Sequence, residues 1–184
     1  MATKKTPNTK SEPALRILRR RYFAQPYTTM LSQLQMQVAS QNEMLDRNGW
    51  TGRRVMGFRL PAWQRQSKWS LEQSQRFIES IWIGVGLGTY MVNHCLKNPD
   101  ADLVLLDGQQ RMRAIEQYLN SEFPMRGEDG IEYLWKDLTD EEQAHFLRIP
   151  FPWNSTEYSK DDDLREAYNR HNFGGVAHDE SERA

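Results

Sequence analysis

A length of 184 residues suits one domain with tails rather than two hydrophobic cores. Hydrophobic residues reach 38% and mean hydropathy is −0.81, no apolar run approaches the roughly 18 residues of a membrane-spanning helix, and the start of the chain lacks the apolar stretch of a signal peptide. An aromatic share of 11%, six tryptophans included, argues against global disorder, while the single cysteine, Cys95, excludes an internal disulfide and a multi-thiolate metal centre. A chain in a reducing cytoplasm (the host's, for a phage-encoded protein), without membrane contact, is expected.

The net charge of −1 is unevenly spread. Residues 1–22 carry Lys4, Lys5, Lys10, Arg16, Arg19, Arg20 and Arg21 against Glu12 alone, a basic arm that suits phosphate backbones and equally suits a solvated tail. Residues 1–13 are expected to be disordered. From about Ala14 to Asp46 apolar residues recur at loosely helical spacing, and Pro26 is expected to split this stretch into two helices. Arg53 to Leu60 then suggests one strand. Ser70 with Gln73 forms a capping box for a helix that stops near Gly84. Two strand candidates follow, 87–93 and 103–106, and a helix from about Gln109 to Asn120. A hairpin around 127–130, a short helix capped by Thr139 and Glu142, a strand over 149–153 and a last helix started by Asp161, Asp162 and Asp163 complete the order. Helices followed by a strand/helix body predict an α+β fold with a small mixed sheet.

The most informative stretch runs from Leu103 through Asp107-Gly108-Gln109-Gln110-Arg111 to Ile115. An apolar strand turns on one glycine directly into a helix, which aims unbonded N–H groups and the positive helix end at one place, an anion site. Gly108 would let a phosphate approach without a Cβ clash. Arg111 would fork onto phosphate oxygens, and a Gln109 or Gln110 amide would bind phosphate or orient a water. Asp107 would hold a divalent metal or simply cap the helix. Asp-Gly turns are common, so the spacing also fits a purely structural junction. Neither a Walker A loop nor a dinucleotide-binding fingerprint occurs.

Four segments in order resemble the GmrSD-type restriction-subunit domain, of the ParB/sulfiredoxin-like superfamily. They are Leu60-Pro61-Ala62-Trp63-Gln64-Arg65 with Trp69-Ser70, then Phe77-Ile78-Glu79-Ser80-Ile81 with Gly84, then Asp107 to Arg111, then Tyr168-Asn169-Arg170-His171-Asn172-Phe173-Gly174-Gly175. Where the family has a Pro-rich turn this chain has Val85-Gly86-Leu87-Gly88-Thr89. The resemblance implies nucleoside-triphosphate binding and hydrolysis, with Mg²⁺ held by Asp107 or Glu79. It implies Asp107, Gln110 and Arg111 as catalytic residues and Gln64, Arg65, Gly108, Gln109, Arg170 and Asn172 as nucleotide contacts. Arg65 and Arg170 equally suit surface ion pairs, and Glu79 a solvated helix position. The implied organisation is a basic arm (1–13), a helical extension (14–50), a ParB-like nucleotide-binding domain (51–178) and an acidic tail (179–184).

Other chemistry finds less support. The four histidines lack zinc-ligand spacing, His171-Asn172 lacks the rest of an HNH nuclease motif, and Cys95 reads as a strand residue rather than a nucleophile. The tryptophans read as core rather than base-stacking platforms. The expectation is a nucleotide-binding, NTP-hydrolysing domain in DNA processing or phage–host conflict, without its own nuclease module. Its partners would be a nucleoside triphosphate, DNA through the basic arm, a separate nuclease or defence protein, and a second copy in a homo-oligomer. The alternative is a DNA- or protein-binding factor that uses the pocket as a ligand sensor.

Overall fold

The computed structural model describes residues 23–66 and 68–173. The chain opens with strand β1 (Gln25–Met30) and helix α1 (Leu31–Arg47). A tight hairpin of β2 (Arg54–Val55) and β3 (Phe58–Arg59) leads to α2 (Leu71–Trp82), β4 (Tyr90–Asn93), β5 (Val104–Asp107) and α3 (Gln109–Leu119). A second hairpin, β6 (Met125–Arg126) with β7 (Glu132–Tyr133), precedes α4 (Asp140–Leu147), β8 (Pro150–Thr156) and α5 (Asp161–Phe173). Six strands form one sheet in the order β1-β8-β4-β5-β3-β2. Neighbours are antiparallel at β1–β8, β4–β5 and β3–β2, and parallel at β8–β4 and β5–β3. This is the expected α+β class. Among the described residues no helix is long and apolar enough to cross a membrane.

The period-2 alternation of a strand explains why β5 sits inside the sheet. Leu103 and Leu105 join the main core with Ile78 and Ile81 of α2 and Met112, Ile115 and Tyr118 of α3. Val104 and Leu106 point the other way, into a smaller cluster with Leu164 and Tyr168 of α5. Both faces of β5 are therefore covered, and its C-terminal end emerges between α3 and α5. The helix starts follow the expected local chemistry. Ser70 Oγ accepts from the Gln73 N–H at 3.2 Å while Gln73 Oε1 accepts from the Ser70 N–H at 2.8 Å. Thr139 and Glu142 repeat the exchange at α4.

Three expectations are corrected. Pro26 does not break a pair of helices; it lies in β1, at the sheet edge, where a residue without an N–H is tolerated. Pairing with β8, from Gln25↔Ser155 to Met30↔Pro150, makes this segment a strand, helped by Tyr27 stacked 4.9 Å from Trp153. The expected helical extension is thus a sheet strand followed by one helix. The single strand over 53–60 is two strands joined at Met56 and Gly57, whose φ values of +47° and +80° make the two-residue turn that hairpin twist favours. Cys95 lies just past β4, buried, with its N–H donating to Asp102 at 2.9 Å.

Candidate functional site

The β5–α3 junction is built around Gly108. Its φ of +94° is the left-handed conformation that glycine adopts without strain. A Cβ here would come within 2.6 Å of the Tyr90 Cβ. The glycine is therefore required by the turn and by the neighbouring strand β4, whether or not a phosphate also approaches it. Because Gly108 has no side chain, α3 starts without a side-chain cap, and its first helical bond is Met112 N–H to Gly108 O at 2.9 Å. The N–H groups ahead of that bond have no carbonyl of their own helix to donate to.

A cavity of about 200 Å³ opens at this helix start. Its floor is Asp107 to Arg111, one wall is the loop after β3 (Gln64, Arg65, Trp69), and the other is α5 (Tyr168, Asn172). The junction thus does open into a pocket, and every expected nucleotide contact except Arg170 lines it. Gln110 ties two parts together, its Oε1 accepting from the Lys68 and Trp69 N–H groups, each at 3.2 Å. That oxygen pins the loop over α3 rather than orienting a water. Asn172 donates through Nδ2 to Tyr168 O at 2.9 Å, and Gln109 is buried in the first turn.

Asp107 faces Arg111 and His171. Arg111 Nη2 donates to its Oδ2 at 2.8 Å and to the Thr89 carbonyl, and His171 Nε2 lies 3.4 Å from the same oxygen. Burial would raise the Asp107 pKa, but the His171 hydrogen bond, the Arg111 charge and the Gly108 N–H outweigh it and hold the carboxyl below its ordinary value. The same hydrogen bond from Asp107 lifts His171 above the ordinary imidazole value, against its partial burial. His171 is the site residue that the sequence reading missed. A signal existed: residues 168, 171 and 172 fall at i, i+3 and i+4 on one helical face, and 170 does not.

That periodicity also removes Arg170. It is 68% exposed and bonds Glu166 one turn back at 2.7 Å, so the expected convergence of three arginines is a convergence of two. Glu79 lies elsewhere, lining a larger cleft of about 740 Å³ between α2, α3, the β6–β7 hairpin and α4. That cleft presents the carboxylates of Glu79, Glu128, Asp129 and Glu142 against Arg126, the wrong charge for a polyphosphate. Of the two carboxylates implied for Mg²⁺, Asp107 lines the cavity with its Oδ2 engaged by Arg111 and His171, while Glu79 lies in a different cleft; no group of three His, Cys, Asp or Glu side chains among the described residues could hold a metal by itself. Lys4, Lys5, Lys10, Arg16, Arg19, Arg20 and Arg21 lie outside the described residues, as do Gly174 and Gly175.

Four buried side-chain polar atoms lack a hydrogen-bond partner among the described residues: Gln41 Oε1, Arg59 Nε, Gln64 Oε1 and Arg111 Nε. Two of the four belong to residues lining the one small cavity. Buried polar groups are normally satisfied, so this coincidence marks the cavity as the place to look for a ligand.

In this mixed-sheet domain the uncapped start of α3 shares its cavity with Arg65 and Arg111, groups chemically able to hold an anion. The model of the GmrSD restriction endonuclease N-terminal domain family matches residues 44–183, and the chain belongs to that family. It is thus a domain related to restriction and phage defence. Neither a curated protein nor a solved structure matches it.

Proposed function

We propose that the cavity binds the phosphate chain of a nucleoside triphosphate, and that this binding is the signal a restriction-type protein uses to license a nuclease module. The observation that carries the reading is the buried, unpartnered Arg111 Nε beside the uncapped start of α3. A guanidinium and backbone N–H groups converging at a helix start are the chemistry of phosphate recognition. Volume sets how much of the ligand enters. About 200 Å³ is below the roughly 300 Å³ at which small-molecule pockets begin, so the phosphates enter at the helix start and the nucleoside reaches only the wall formed by Gln64 and Trp69.

On binding, Arg111 exchanges Asp107 for a phosphate oxygen, and His171 stays on Asp107 to balance its charge. Hydrolysis asks more of the site. With the His171 hydrogen bond and the Gly108 N–H still on it, Asp107 stays a poor proton acceptor, so it positions water rather than deprotonating it. Sensing without rapid turnover is accordingly the favoured use. The basic segment 1–22 adds a sequence-independent hold on DNA that weakens steeply with salt, and removal of residues 2–21 abolishes it.

Thermal stability measured with each of the four NTPs tests the core of the reading, since a ligand bound to the native state raises the apparent stability. A rise of several degrees is expected with at least one, together with slow phosphate release. No rise with any of them removes the nucleotide site. Rapid phosphate release moves the assignment from sensor to hydrolase.

A further inference from the structure

A phosphate chain can satisfy the unpartnered donor of the cavity, Arg111 Nε, but not its unpartnered acceptor, Gln64 Oε1. Fully ionised phosphates offer only acceptors. Gln64 is 4% exposed and lines the cavity, and no described residue donates to its side-chain oxygen. Its backbone is held from both sides: the N–H donates to Pro61 O at 3.1 Å, and the carbonyl accepts from Arg53 Nη2, which also bonds Pro61 O at 3.0 Å. The chain thus fixes a residue whose side-chain oxygen it does not use. Leaving a buried acceptor unmet costs about 1–3 kcal/mol in general. That cost is recovered when a ligand supplies a donor.

Resting on the nucleotide reading above, we propose that Gln64 Oε1 recognises the nucleoside half of the ligand, accepting from a sugar hydroxyl or a base N–H while Arg111 takes the phosphate. The cavity then selects nucleoside polyphosphates over inorganic polyphosphate, and Gln64 sets that selectivity. Donor and acceptor lie on different segments, Gln64 on the loop after β3 and Arg111 on α3, joined by the Gln110 bridge to Lys68 and Trp69. A ligand that touches both must itself carry both functions.

The test compares inorganic triphosphate, the four NTPs and their 2′-deoxy forms on the full chain, and then on Gln64→Leu and Gln64→Met. Wild type is expected to bind an NTP at least about tenfold more tightly than inorganic triphosphate, the scale of one well-made neutral hydrogen bond. Both variants should lose that preference, keep the inorganic triphosphate affinity and melt no lower than wild type without ligand, because they delete an unmet acceptor. A structural glutamine would instead lower the melting temperature and weaken both ligands together. Loss of the preference in the 2′-deoxy series assigns the donor to the sugar 2′-hydroxyl; its retention leaves the donor among the base N–H groups and the other sugar hydroxyl. Equal wild-type affinity for NTP and inorganic triphosphate overturns the proposal and spares the phosphate site. No binding of either ligand overturns the nucleotide reading itself. If neither variant folds, the wild-type comparison alone still decides.

Discussion

Strand β5 carries an aspartate–histidine pair near each end, and the two pairs are built to different purposes. Before its start, Asp102 lies 3.6 Å from His94 and accepts the Cys95 N–H at 2.9 Å, with the Leu103 N–H also helping hold its carboxyl below the ordinary value against the cost of burial. At its end, Asp107 meets His171 and Arg111 beside an open cavity. The first carboxylate is held by His94 and by two backbone N–H groups, of Cys95 and Leu103, which fix a loop. The second is held by His171 and Arg111, with a single backbone N–H, of Gly108. The first cluster ties down a loop, whereas the second lies beside a cavity and includes a buried arginine nitrogen with no partner among the described residues, which is the ground for proposing a ligand at the second and not at the first.

The largest effect is expected at the turn beside the second pair. Gly108→Ala forces a Cβ onto β4 at a positive φ and should cost about 3 kcal/mol or more in chemical denaturation. A loss under about 1 kcal/mol would show that the junction relaxes and that its glycine is not structural.

Next come the matched substitutions. Asp102→Asn is expected to lower stability by about 1–2 kcal/mol and leave nucleotide affinity unchanged, since it weakens acceptance from buried backbone donors. Asp107→Asn should act mainly on the ligand, releasing Arg111 and removing a negative charge, so that nucleotide binds up to about tenfold tighter while any turnover falls. Similar stability losses and unchanged binding in both variants would erase the distinction.

A smaller effect concerns pH. The folded His171 pKa is raised, so its pairing contributes fully below the unfolded value near 6.5 and is lost as pH rises through the folded value. The depressed Asp107 works in the other direction, contributing above the ordinary value of 3.8 and losing that contribution as pH falls through the folded one. His171→Gln should flatten the stability profile just above pH 6.5 and also weaken the acid limb, because the His171 hydrogen bond is the foremost contact holding the Asp107 pKa down. The change is modest because His171 is 42% exposed. An unaltered profile would detach His171 from Asp107.

The smallest effect is expected at Arg170. Arg170→Ala removes an exposed i,i+4 pair and should shift stability by at most about 0.5 kcal/mol, with nucleotide affinity unchanged in titration. A clear loss of affinity would return Arg170 to the site and show that α5 turns on binding.

Much of this protein was legible in its sequence because the signals were local. The capping boxes at Ser70 and Thr139, the alternation along Leu103–Leu106 and the glycine between strand and helix each act within a few residues, and each appears where the sequence places it. Membership of the restriction-domain family was equally visible in four short segments.

Tertiary structure decided the rest. Residues 25–30 became a strand because β8, more than a hundred residues later, offered an unpaired edge, and no local pattern encodes such a partner. Arg170 and His171 are neighbours in sequence, yet helical geometry and the docking of α5 against β5 send one to solvent and the other to Asp107. The charge and shape around Gly108 likewise come from three distant segments. Residue type sets what each side chain can do chemically, and packing across the chain selects the side chains that meet.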